Sequence, residues 1–382
     1  MPTLSDTDLL ARLVGFDTTS HNSNLPLTDF VADYLDRPGV RIGRNMSEDG
    51  NKANLIVEIG RQDDAGRSGL VLSGHMDVVP ADEPEWASDP FILTEREGNL
   101  HGRGACDMKG FVALAVNAAA SIDPATLRHP LVLILTYDEE VGLLGAKRFA
   151  ETWAGLERLP KSAWIGEPTT LEVVWAHKGF AQLRVGFDGE SAHSAYPHLG
   201  KSAIEPAGRA IVALAELRRQ METERAPHAE EFGDVPFVSL NVGRVTGGSA
   251  VNVVPDRCVV DLSIRPLPEM KLEDLVDRVR AALDRALGDE TFSLEVVSSS
   301  PPMHVDRNAP LLGVLLEEIG QEGERAVSYA TDAGWLQRAG FECVIFGPGD
   351  ITVAHKPNEF IPIAELAKAR DVMERVVSRF CL

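Results

Sequence analysis

The chain has 382 residues, more than one hydrophobic core usually serves, so two domains are expected. Acidic residues number 58 against 37 basic, a net charge of −21, which argues against a nucleic-acid partner because phosphate backbones would be repelled. No apolar run approaches the roughly 20 residues that span a bilayer, the N-terminus has no basic cluster ahead of an apolar stretch, and four scattered cysteines make a disulfide framework improbable. The expectation is a cytoplasmic protein without membrane contact.

Apolar periodicity predicts helices over residues 4–14, with Ser5 or Asp6 as cap, and over 26–35. Short apolar runs at 54–59 and 70–73 have the length of buried strands. An alanine-rich helix is expected over 110–122, and 131–136 is almost wholly apolar, as in a strand covered on both faces. Strands alternating with helices imply a three-layer α/β domain. The pattern then changes. A strand at 181–187, a helix at 202–221, strands at 237–245 and 258–265, a helix at 272–287 and a strand at 291–297 give the order β-α-β-β-α-β, a ferredoxin-like α+β unit. Pro301-Pro302 marks its exit, and a strand at 342–346 and a closing helix at 363–380 restore α/β character. The expected domains are therefore 1–175 with 300–382, and an inserted 176–299.

Chemistry-bearing residues gather at the predicted strand ends, where open α/β sheets bind ligands. His75 and Asp77, two apart in Ser73-Gly74-His75-Met76-Asp77, can face one side. A carboxylate behind a histidine fixes its tautomer. A histidine satisfied in a turn is the competing reading. Asp107 lies in the glycine-bearing run Gly102-Arg103-Gly104-Ala105-Cys106-Asp107, where it would equally serve as a helix cap. Glu139 and Glu140 follow the strand 131–136, Glu167 in Ile165-Gly166-Glu167 follows a short apolar run, and His355 lies in Ala354-His355-Lys356-Pro357-Asn358-Glu359. Each is weak alone. Together, two histidines and three carboxylates (Asp107, Glu140, Glu167) suit zinc held by nitrogen and oxygen. With Asp107 bridging, each of two metals has three protein ligands, the number found in catalytic zinc sites.

Taken in order, these motifs resemble the dinuclear zinc peptidase and deacylase family, which includes acetylornithine deacetylases, succinyl-diaminopimelate desuccinylases and glutamate carboxypeptidases. The resemblance covers essentially the whole length. It implies a three-layer α/β zinc-peptidase catalytic domain with an inserted ferredoxin-like dimerisation (lid) domain. It also implies that His75, Asp107 and Glu167 hold one Zn2+ and that Asp107, Glu140 and His355 hold the other, with Co2+ able to substitute. Asp77 would support His75, Glu139 would be the general base, and the Asp107–Met108 peptide is a candidate cis bond.

In the insert, Gly189-Glu190-Ser191-Ala192-His193-Ser194 resembles the motif whose histidine reaches the partner subunit's active site in a homodimer and stabilises the developing oxyanion. Asn252 and Arg265 match positions that grip a substrate carboxylate, a role suited to the planar arginine fork. The stretches 329–334 and 347–360 resemble acetylornithine deacetylases most, which implies removal of acetyl from N-acetyl-L-ornithine in arginine biosynthesis. Asp332 stands where many such enzymes have glutamate, so another small-molecule N-acyl amino acid remains open. The alternatives are a desuccinylase, a broad N-acyl amino acid deacylase or dipeptidase, and a metal-binding scaffold without catalysis.

Overall fold

The computed structural model describes residues 3–60, 67–233, 235–323 and 325–382. The chain divides into two compact units, Met1–Ala176 with Met303–Arg325 and Thr331–Leu382, and His177–Pro302 with Ala326–Ala330. The return of 326–330 to the second unit is not foreseen by a single insertion.

In the first unit a mixed sheet runs in the order Val40–Met46, Ala53–Ile59, Leu131–Thr136, Leu70–His75, Ser162–Ile165, Glu342–Ile345, with Val174–His177 and Met303–His304 beyond. The four strands from Leu131–Thr136 to Glu342–Ile345 are mutually parallel. All four are buried nearly throughout, which is why they read as unbroken apolar runs. Helix Asp6–Val14 starts where Ser5 Oγ accepts from Asp8 N at 3.1 Å. Helix Ile363–Cys381 presents Leu366, Ala369, Met373, Val376 and Val377 at helical spacing, buries them, and packs against Gly110–Ser121. The edge strand Val40–Met46 escapes the sequence reading. Its run Val-Arg-Ile-Gly-Arg-Asn-Met carries polar residues because no residue of it is fully buried.

The parallel strands share one direction, so their C-terminal ends lie along one rim. His75 closes one strand, Asp138 to Glu140 follow the next, Glu167 follows Ile165, and Gly347 to Glu359 follow the last. Tight approach of two of these exits depends on glycine. A Cβ on Gly166 would lie 1.9 Å from the Phe111 ring, and one on Gly347 would lie 2.4 Å from the carbonyl oxygens of Gly166 and Glu167.

The second unit is a four-stranded antiparallel sheet ordered Ser239–Gly247, Arg257–Arg265, Phe180–Asp188, Ser293–Ser300. Helix Ile204–Thr223 packs on it, and helix Leu272–Leu287 packs against that helix. Along Phe180–Asp188 burial alternates strictly, with Ala181, Leu183, Val185 and Phe187 inward. This is the ferredoxin-like order. Among the described residues no helix of either unit is long and apolar enough to cross a membrane.

Candidate metal centre

The rim of the first unit brings His75, Asp107, Glu140, Glu167 and His355 together. The ligand atoms of His75, Asp107 and Glu167 all lie within 4.8 Å of one another, and so do those of Asp107, Glu140 and His355. Asp107 belongs to both sets. His75 Nε2 is 2.9 Å from Asp107 Oδ1, and His355 Nε2 is 3.3 Å from Asp107 Oδ2 and 2.9 Å from Glu140 Oε1. One carboxylate thus stands between two imidazoles and offers a different oxygen to each.

The local backbone sets this up. Asp107 lies in an irregular turn, Ala105–Lys109, with φ −119° and ψ 95°, just before helix Gly110–Ser121. It is therefore not a helix cap, and its side chain is free for the site. The Asp107–Met108 peptide is cis. Asp138 (φ 54°) and His355 (φ 60°) adopt the left-handed region that costs a non-glycine residue roughly 1–2 kcal/mol. Lys52 Nζ holds Asp138 through an ion pair at 2.6 Å, and this fixes the turn that delivers Glu139 and Glu140.

Asp77 acts differently from the sequence expectation. His75 Nδ1 donates to the main-chain carbonyl of Asp77 at 3.0 Å, while the Asp77 carboxylate is 3.7 Å away. That carboxylate accepts instead from Ser20 Oγ (2.7 Å), Glu139 N (3.0 Å) and Glu140 N (3.3 Å). The HxD segment fixes the tautomer through its backbone, leaving Nε2 as the ligating nitrogen. Its aspartate ties the His75 strand to the Glu139–Glu140 turn.

The electrostatics describe a site short of positive charge. Burial, then the charge of Glu167, pushes Glu139 well above the usual carboxylate range. Burial and Asp107 do the same to Glu167 and carry Glu140 up to about 7. Asp107 stays far below its ordinary value, because hydrogen bonds from His355 and His75 outweigh its burial. The hydrogen bonds to Asp107 and Glu140 lift His355 to about 10. His75 rises despite complete burial, through its bond to Asp107. Glu167 Oε1 is buried with no hydrogen-bond partner. A divalent cation would relieve both the repulsion and the orphaned oxygen, so the donors present fit metal ions.

Asp332 is 2% exposed, and its Oδ2 accepts from Thr136 Oγ1 at the end of strand Leu131–Thr136. Burial raises it to about 6, and Oδ1 is buried without a partner. Cys106 is buried, its thiol pushed up by burial, and is a packing residue. One important group was not singled out from the sequence. Glu359, 1% exposed, accepts from Gly104 N, Cys106 N and Asp107 N and pairs with Arg103. Glu359 stands in the His355 run, but its partners lie some 250 positions earlier, and no local signal announces them.

His193, Asn252 and Arg265 belong to the second unit. His193 is exposed, on a two-residue strand paired with Val253–Val254, and Ser194 N donates to Asn252 O at 2.9 Å. Asn252 therefore neighbours His193. Arg265 sits at the other end of its strand, its guanidinium 4.8 Å from the Phe180 ring centre. The register runs from Arg257 opposite Asp188 to Ile264 opposite Ala181. At about 3.3 Å per residue, Arg265 is roughly 25 Å from the His193 end. Asn252 and Arg265 therefore stand at opposite ends of their sheet within one chain.

The fold has solved counterparts. A metallo-carboxypeptidase of the M20 family from Sulfolobus solfataricus superposes with a TM-score of 0.78 at 17% identity, covering 99% of both chains. An aminopeptidase from Bacillus cereus gives 0.74 at 21%, covering 98% of both. A Bacillus subtilis protein described as a dinuclear metal-binding peptidase of the M20 family gives 0.68 at 16%, covering 98% of both. The profile of Peptidase family M20/M25/M40 matches residues 71–379, and the chain belongs to that family. It is 38% identical over 378 residues to the acetylornithine deacetylase of Myxococcus xanthus, covering 97% of this chain and 96% of that protein. It is 36% identical over 369 residues to that of Proteus mirabilis, covering 96% and 92%.

Proposed function

We propose that this chain is a dizinc amide hydrolase that removes the acetyl group from N-acetyl-L-ornithine, releasing acetate and ornithine for arginine biosynthesis in the cytoplasm. The observation that carries the substrate is the near-full-length identity to acetylornithine deacetylases, 38% and 36%. The chemistry is carried by Asp107 standing between His75 and His355.

In this reading His75, Asp107 and Glu167 hold one zinc, and Asp107, Glu140 and His355 hold the other. When bound, the metals supply Lewis acidity to the amide carbonyl and to the attacking water. The chain's own residues do the rest. Glu139, half-buried among carboxylates and raised in basicity, takes a proton from water and returns it to the departing ornithine nitrogen. Asp77 keeps Glu139 in place through its backbone N–H. Arg265 binds the substrate carboxylate with its two-pronged guanidinium. His193 and Asn252 act on a second copy's site in a homodimer, His193 donating to the developing oxyanion. Their separation from Arg265 in one chain supports that division.

Turnover of N-acetylornithine, N-succinyl-diaminopimelate and a simple dipeptide by zinc-loaded protein tests the substrate. N-acetylornithine should have the highest kcat/KM. If it is the poorest of the three, the assignment is wrong.

A further inference from the structure

The two triads share Asp107, so whatever fixes Asp107 fixes both. Helix geometry does not do it, because the residue's φ and ψ lie outside the helical range. Instead the N–H groups of Cys106 and Asp107 both donate to Glu359 Oε1 at 3.0 Å, and Gly104 N donates to Oε2 at 3.1 Å. Arg103 Nη1 donates to the same Oε2 at 2.9 Å. Arg103 reaches further, to the carbonyl of Lys356 at 3.2 Å and through Nη2 to the carbonyl of Pro80 at 2.9 Å. Both side chains are 1% exposed. The buried pair thus joins three loops, those that follow His75, carry Asp107 and carry His355.

A buried ion pair is weak evidence for stability, since well-packed apolar groups often serve as well. Its geometry here has a more specific consequence. Asp107 gives Oδ1 to His75 and Oδ2 to His355. A backbone drift would serve one histidine at the expense of the other.

We propose that Glu359 is a positioning residue: by gathering the N–H groups of the Asp107 loop and clamping it to the His355 loop through Arg103, it sets the affinity of both metal positions together. The proposal rests on the metal-site reading given above.

Zinc titration against a competing chelator tests it, with wild-type protein expected to show two binding steps. In Glu359→Gln both steps should weaken by about 10–100-fold, as for other groups that orient metal ligands. At saturating zinc, kcat should fall while KM changes little. Because Glu359→Gln leaves Arg103 without its charge partner, a second variant carries Arg103→Met with Glu359→Met. It removes both buried charges at similar volume and should keep a metal-free unfolding midpoint near wild type, yet show the same weakening. Glu359→Asp should recover part of the affinity. Unchanged zinc steps in a folded variant, or weakening of one step alone, overturns the proposal. So does failure of both variants to fold, which would make the pair a folding element. Wild-type protein that binds no zinc would instead overturn the metal-site reading itself.

Discussion

The two units carry their chemistry-bearing residues in opposite ways. In the first, His75, Glu140, Glu167 and His355 from parallel-strand exits and Asp107 from the turn ahead of helix Gly110–Ser121 converge so closely that their ligand atoms fall within 4.8 Å in each triad. Parallel strands account for four of the five, because every strand in a parallel run delivers its exit loop to the same rim. In the second, an antiparallel sheet sends successive loops to opposite ends. His193 and Asn252 meet at one end, and Arg265 stands at the other. A site assembled by parallel topology is complete in one chain. The antiparallel topology of the second unit instead keeps its candidate residues apart, which is what the proposed sharing of a site between two copies rests on.

The sharpest way to break that comparison is to disable the first unit alone. Glu139→Ala should lower kcat by about 10²–10⁴-fold, the usual contribution of a general base, while metal content by elemental analysis stays at two per chain. Loss of metal as well would show Glu139 to be a ligand. Chelation should remove activity and Zn2+ or Co2+ should restore it. Turnover after complete demetallation would contradict the mechanism.

Next is a mixing experiment on the second unit. His193→Ala alone should lose about 10²–10³-fold in kcat, as when one oxyanion donor is removed. Refolding it together with Glu139→Ala should recover activity, because a mixed dimer holds one site with an intact Glu139 and an intact His193. Should the mixture stay as inactive as its components, His193 acts within its own chain or not at all.

The first unit was also the more legible in the sequence, for the same reason. Residues on buried parallel strands read as apolar runs, and each run ends on a polar motif, so His75, Glu140 and Glu167 could be placed at strand ends directly. What stayed hidden depends on long-range pairing. The carboxylate of Asp77 suggests itself as the histidine's partner by spacing, yet the backbone carbonyl two residues on takes that place. Glu359 sits in the His355 run, but its role comes from donors on a distant loop. In the second unit the strand and helix order was readable from alternation. The distance between Asn252 and Arg265 was not, because pattern gives the elements while register decides which ends meet.

The smallest expected effect contrasts histidines. His75 and His355 are raised by facing carboxylates, whereas His177 is fully buried, donates through Nδ1 to the carbonyl of Lys178 at 2.8 Å, and is lowered to about 4 by burial. In the unfolded chain it would titrate near 6.5. Between those values the unfolded state binds the proton and the folded state does not. The His177 contribution to stability therefore falls as pH drops from about 6.5 to 4 and levels off below, while the raised carboxylates Glu139, Glu140, Glu167 and Asp332 contribute in the opposite direction. At 1.36 kcal/mol per pH unit the full loss is about 3 kcal/mol. In urea unfolding of metal-free protein across that range, wild type should lose about 3 kcal/mol relative to His177→Gln, which cannot titrate. An equal slope in the variant would show that His177 does not titrate differently in the folded and unfolded states.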